Sequence, residues 1–120
     1  MSPEELRRQE RIPRPIMVRY LHPDTSPPRW SLVPARDFSR TGVRFYSEYP
    51  FAMGDPVAFH LLLPMTREPV RLMGRVAWKR PETTLGAMEI GVAFEAPTDE
   101  VQQLLDEAAR FFLAHRQARE

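Results

Sequence analysis

Apolar and polar positions change rhythm along this chain. From Pro15 to Glu95 the apolar residues come in short runs, IMVRYL, WSLVPARDF, VRFYS, PVAFHLLL, VRLMGRVAW and MEIGVAFE. Several alternate with the period of two that turns one face of a strand toward a core. The pieces between them, HPDTSPPR, SRTG, EYPFAMGD, PMTREP and KRPETTLG, supply Pro, Gly, Asp and Ser, which fix φ, allow positive φ or bond their own backbone. Six short strands with no helix between them predict a small antiparallel barrel or sandwich. Pro34 interrupts the second run and has no N–H for a ladder, so an edge position or a bulge is expected there.

At Thr98 the period becomes helical. Thr98 suits an N-cap, Asp99 and Glu100 suit the positive end of a helix, and Val101, Leu104, Leu105, Ala108 and Phe112 make one apolar stripe. That stripe should close one end of the barrel. Phe111 and Leu113 lie off its centre, available to a partner protein or to a second copy, so a homodimer is one expectation. Residues 1–14 carry Arg7, Arg8, Arg11 and Arg14 against Glu4, Glu5 and Glu10, with few large aliphatics. They read as a flexible arm in which only a short helical turn fits before Pro13 and Pro15. The expected organisation is an arm over 1–14, a barrel over 15–97 and a packing helix over 98–120.

Composition narrows the function classes. A 120-residue chain is the size of one domain and buries roughly 65% of its unfolded surface. Seventeen Lys and Arg nearly balance 16 Asp and Glu, for a net charge of +1. Bulk charge therefore does not mark a general polyanion binder, and any anion must be held locally. No stretch approaches the roughly 18 apolar residues of a membrane span, and MSPEELRR lacks the apolar run of a signal peptide. The cytoplasm is the expected location, with no membrane insertion. With no cysteine, disulfides, thiolate metal sites and cysteine nucleophiles are excluded.

The candidate chemistry sits in ARDFSRTGVRF, residues 35–45. Asp37 and Ser39 are two apart, so on extended chain both leave the same face while Phe38 points the other way. An acceptor thus stands beside a hydroxyl. Gly42 either turns the chain with positive φ or lets a backbone amide approach a bound group closely. A plain hairpin, in which Asp37 and Ser39 satisfy their own backbone, fits the same residues. In the arm, Arg7 and Arg11 are four apart and share a face in a helical turn, with Arg8 able to support either. Guanidinium forks match phosphate oxygens and the O6 and N7 edge of guanine, and a carboxylate such as Asp37 can take the N1 and N2 protons of another guanine. A solvated arginine face is the alternative for that pair.

Taken together, RRQERIPRP at 7–15 and DFSRTG at 37–42 resemble the two halves of the PilZ domain signature, an R-x-x-x-R arm followed by D/N-x-S-x-x-G. GDPVAFHLLLP at 54–64, GRVAW at 74–78 and IGVAF at 90–94 are similar to later parts of the same family, so the resemblance covers nearly the whole chain. PilZ domains are bacterial receptors for cyclic di-GMP. The resemblance implies an all-β fold with one C-terminal helix, built on a six-stranded antiparallel β-barrel. It implies a ligand held between arm and barrel, with Arg7 and Arg11 on phosphate and guanine, Asp37 and Ser39 on guanine, and Gly42 as the close-approach position; Arg8, beside the arginine pair, is kept as a supporting ligand-binding candidate. Some members lack the motif and do not bind; this sequence retains it.

The remaining candidates are plainer. His22, His60 and His115 lie on separate elements, and no converging carboxylates give them a metal-ligating or catalytic spacing; surface or half-buried histidines are expected. Trp78 and Phe94 read as core or interface aromatics, and Trp30 as a strand-start residue able to cover the barrel mouth. Arg75, Lys79 and Arg80 fit a solvated strand face or added positive potential near a ligand. Two function classes follow: a cyclic di-GMP sensor acting through an effector protein, and a small barrel that stacks single-stranded nucleic acid on residues such as those of VRFY. Near-neutral charge and the paired motifs favour the first. A protein-interaction module that does not bind the dinucleotide is a further alternative. An enzyme ranks below these, because no nucleophile and base, metal set or phosphate loop assembles.

Overall fold

The computed structural model describes residues 16–81 and 86–117. Seven strands and one helix follow in order: β1 Met17–His22, β2 Arg29–Pro34, β3 Asp37–Phe38, β4 Gly42–Ser47, β5 Pro56–Leu62, β6 Val70–Pro81, β7 Met88–Phe94 and α1 Asp99–Gln117. The strands form one antiparallel sheet in the order β2-β1-β5-β6-β7-β4-β3. The expected six-stranded closed barrel is corrected on this point: among the described residues the sheet has seven strands and is a curled half-barrel, with β2 and β3 at its edges. The arm of residues 1–14 lies outside the described residues.

The reason for the seventh strand is visible in WSLVPARDF. This run breaks at Ala35 and Arg36. Before the break β2 pairs with β1; after it β3 pairs with β4, so one apolar run supplies both edges of the sheet. Ala35 N–H still donates to the Ile16 carbonyl at 2.8 Å, and Arg36 N–H donates to the Arg44 carbonyl at 2.7 Å. Those two bonds carry the chain from one edge to the other and hold the sheet curled. Pro34 ends β2 on the edge, where a residue without an N–H costs no ladder bond.

Alternation separates the two faces. Val18 and Tyr20 of β1, Val43 and Phe45 of β4, Val57, Phe59 and Leu61 of β5, and Ile90 and Val92 of β7 are all buried on the concave side. Each such side chain contributes about 1.5–3 kcal/mol relative to exposure. The Tyr20 hydroxyl, buried with its ring, accepts the Glu48 N–H at 2.9 Å, so its polar end is satisfied.

Helix α1 packs on this core. Thr98 caps it, its Oγ1 accepting the Val101 N–H at 3.2 Å, and Asp99 and Glu100 occupy the first turn. Leu105 and Ala108 are fully buried, with Val101, Leu104, Ala109 and Phe112 packed beside them. The Phe112 ring meets Phe38 edge-on at 6.3 Å, which ties the helix to the turn that carries the candidate motif. Leu113 is exposed.

One irregularity matters for the site. In β6, Val70, Leu72, Gly74 and Val76 face inward. Then the register slips: Val76 pairs with Val92, yet Trp78 pairs with Gly91. The extra residue, Ala77, makes a β-bulge and inverts the alternation beyond it. Trp78 and Arg80, which continue the inward parity in sequence, are thereby turned onto the outer face.

Candidate functional site

The site is built from the β3–β4 turn outward. Phe38 is buried, between Phe94 at 6.0 Å and Phe112, so its neighbours Asp37 and Ser39 are directed to the convex face. Ser39 organises the turn. Its N–H donates to the Gly42 carbonyl at 2.9 Å, while its Oγ accepts the N–H groups of Thr41 and Gly42, each at 3.2 Å. Asp37 Oδ1 accepts the Phe38 N–H at 2.9 Å. Both side chains thus do the local backbone bonding expected of a hairpin turn, and both still line the pocket described next.

Gly42 opens β4 opposite Ala93 of β7. A Cβ there would lie 2.7 Å from the Val92 carbonyl oxygen. Close approach of two strands, rather than a positive φ, is what requires glycine at this position.

The pocket is about 300 Å³ in volume. Asp37, Ser39, Thr41, Gly42 and Arg44 line one side, and Ala77, Trp78, Gly91 and Ala93 the other. Its floor is flat because Gly91 has no side chain, and the Trp78 indole lies against that glycine. Trp78 is 40% exposed, an aromatic surface open to a planar ligand.

A line of alternating charge leads away from the pocket. Arg44, the cross-strand partner of Asp37, places Nη2 3.9 Å from Asp37 Oδ2 and Nη1 3.9 Å from Glu89 Oε1. Arg80 Nη2 donates to the same Glu89 oxygen at 2.7 Å. Glu89 is only 4% exposed, and two guanidinium groups over its carboxylate offset the cost of burying it. Among the described residues the buried Arg44 Nε has no hydrogen-bond partner. Beside it, the Arg36 guanidinium lies over the Tyr46 ring at 5.4 Å.

Of the residues singled out in the sequence, Asp37, Ser39 and Gly42 come together here, while Arg7, Arg8 and Arg11 lie outside the described residues. Arg44 and Trp78 line the same pocket, and Glu89 and Arg80 adjoin Arg44. Arg44 was open to inference, because a two-residue β3 turning at Ser39–Thr41 puts Asp37 and Arg44 opposite each other. Trp78 was hidden by the bulge. Arg75 is engaged elsewhere, with Glu95 at 3.0 Å.

The histidines stand apart. His22 is buried rather than half-exposed, stacked on Tyr20 at 5.1 Å with Nε2 2.6 Å from Ser31 Oγ; burial, with Arg29 adding and Glu48 opposing, holds its pKa below 6.5. His60 is partly buried on the far half of the outer face, and burial followed by Arg19 and Arg71 lowers its pKa as well. His115 is outside the described side chains. Among the described residues there is no grouping of His, Asp and Glu that suits a metal ion, and no helix is long and apolar enough to cross a membrane.

A comparison with curated proteins finds no match. Among solved structures, the Bacillus subtilis inhibitor of motility (MotI/DgrA) matches with a TM-score of 0.64 at 12% identity. The match covers 88% of this chain and 48% of that one, so this chain spans about half the length of that protein. At such identity the likeness concerns the fold alone. A protein-family model, the PilZ domain, matches residues 5–111, a span that includes Arg7, Arg11 and the pocket motif, and the chain therefore belongs to the PilZ domain family.

Proposed function

We propose that this chain is a receptor for cyclic di-GMP, the ligand associated with its family, and that it signals through an effector protein. The observation that carries this reading is the meeting of Asp37, Ser39 and Gly42 in one pocket with an exposed indole, Trp78. Each part answers a part of the ligand. Asp37 accepts the N1 and N2 protons of a guanine, and Ser39 offers a hydroxyl beside it. Trp78 gives a purine a face to stack on, a contact worth about 1–3 kcal/mol per base. Arg44, which lines the pocket with its nearest carboxylate oxygens 3.9 Å away, offers a guanidinium to phosphate.

In this reading the arm of residues 1–14 completes the site. Arg7 and Arg11 engage phosphate and guanine, Arg8 supports them, and the ligand clamps the arm across a body of residues 15–97 onto which the helix of 98–120 packs. Ordering the arm costs roughly 1–2 kcal/mol per residue fixed, and only a ligand bound by both arm and pocket offsets that. Arm and sheet together then present a surface that is absent without ligand, and an effector reads it. A binding and adaptor role, without catalysis, fits the family.

Titration calorimetry tests the reading, with cyclic di-GMP against linear diguanylate and single-stranded RNA. The expected result is saturable binding of the cyclic dinucleotide alone, weakened roughly five- to 150-fold by Asp37→Ala, as for about 1–3 kcal/mol of charge-assisted hydrogen bonding. No saturation at high micromolar ligand would end the proposal.

A further inference from the structure

The other half of the outer face carries anchors of its own. Register places Arg19 of β1 between Leu32 of β2 and His60 of β5, and His60 beside Arg71 of β6. Trp30 is two residues from Leu32, and Met73 two from Arg71, so all six leave the sheet on the side opposite to the core. Leu32 is 55% exposed, Met73 49% and Trp30 38%. Trp30 is nonetheless held in place. The Arg19 guanidinium carbon sits 5.1 Å from the indole centroid, the His60 ring is 4.7 Å away, and Arg19 Nη2 donates to His60 Nδ1 at 2.9 Å. A large surface aromatic whose rotamer is already fixed loses little entropy when a partner covers it.

The strands of this surface themselves carry charge of one sign. Strands β1, β2, β5 and β6 contain no Asp or Glu. Arg29, Arg75 and Arg80 are paired with carboxylates from other segments, but among the described residues no ion pair engages Arg19 or Arg71. An exposed apolar group, bordered by two cations lacking carboxylate partners, lies next to the edge strand β2.

We propose that this face docks an acidic, apolar segment of a partner protein, with carboxylates on Arg19 and Arg71 and aliphatic or aromatic side chains over Trp30, Leu32 and Met73. A second copy is a poor occupant, since two such faces set against each other bring like charges together. An anionic membrane is also poor, because stable adsorption takes a cluster of four to eight basic residues, roughly. The face is separate from the pocket, so the inference stands independently of cyclic di-GMP binding.

Two-dimensional NMR of the full chain tests it, because the chain has 2 tryptophans whose indole N–H signals report the face (Trp30) and the pocket (Trp78). The probe is a short blocked peptide in which glutamate alternates with leucine; its lysine counterpart and phosphatidylserine vesicles serve as comparisons. The acidic peptide should shift the Trp30 signal saturably and leave Trp78 unmoved. Arg19→Ala and Trp30→Ala should each weaken it about tenfold or more, as for interface anchors, and an unchanged Trp78 signal will show that each variant is folded. For Trp30→Ala, backbone amides of β1 and β5 replace the lost indole as reporter. No shift at about 1 mM peptide, far above any useful affinity, would overturn the proposal. So would equal binding of the lysine peptide, tighter binding of the vesicles, or self-association abolished by Leu32→Glu.

Discussion

The Trp78 indole lies so close over Gly91 that a Cβ on the glycine would sit 2.3 Å from Trp78 Nε1 and 2.5 Å from Cε2. The two residues are cross-strand partners across the β6 bulge, and the glycine is what lets the ring lie flat against the sheet. Gly91→Ala therefore pushes the indole up and across the pocket without emptying the core. Cyclic di-GMP affinity should fall by roughly five- to 150-fold, the equivalent of one lost base stack of about 1–3 kcal/mol, and Trp78→Ala should do the same. Calorimetric titration checks both. Affinity unchanged in both variants would remove Trp78 from the site while leaving Asp37 and Ser39 to be judged separately.

The Glu89 carboxylate predicts an asymmetry. It is buried, whereas its partners Arg80 and Arg44 have side chains 70% and 34% exposed. Glu89→Ala removes the buried charge and leaves two cations that can reach water, so the loss should be no more than about 1 kcal/mol. Arg44→Met leaves the buried carboxylate with one partner, and should cost about 1–3 kcal/mol. Urea unfolding of the two variants compares them directly. A larger loss for Glu89→Ala would show that the acid, not its neutralisation, holds β4 to β7.

The pattern of the chain made much of this legible and hid a definable remainder. Alternation marked β1, β4, β5 and β7, and helical spacing marked the Leu105 and Ala108 face of α1. Asp37, Ser39 and Gly42 were visible because their spacing carries a reason: the same face, a turn, a close approach. Two local irregularities were not. WSLVPARDF reads as one strand, and only the tertiary bonds of Ala35 and Arg36 divide it between two edges. VRLMGRVAW reads as one alternation that carries Trp78 inward, and the unpaired Ala77 reverses it. Periodicity locates a face only as long as the register is unbroken, and the break falls where Trp78 turns outward to line the pocket.

Helix α1 is expected to be part of the cooperative core. Leu105 is fully buried among sheet residues, and Leu105→Ala should cost about 2–5 kcal/mol. Leu113→Ala, at a position 54% exposed, should change stability by less than about 0.5 kcal/mol. Thermal melts of the two side by side separate packing from composition. Equal melting temperatures would mean that the helix detaches before the sheet unfolds.

His22 makes stability depend on pH in a stated direction. Burial, then Arg29, lowers its folded-state pKa below 6.5, with Glu48 opposing. The unfolded chain, with an ordinary imidazole, therefore takes up a proton at a higher pH than the folded protein does. Above 6.5 both states hold a neutral ring and the stability is complete; as pH falls through 6.5 toward the folded value, the unfolded state gains, and stability drops. His60 is shifted the same way and adds to the drop. The Ser31 bond and the Tyr20 stack both accept a neutral ring, and Glu48 offsets only part of the shift. Melting temperature should fall between about pH 7 and pH 5, above the range where carboxylates dominate. His22→Gln should be less stable at neutral pH yet flatter across that window, and His22→Gln with His60→Gln flatter again. If the double variant retains the full slope of the original chain, the proton uptake belongs to other groups and the buried imidazole is not the pH-sensitive element.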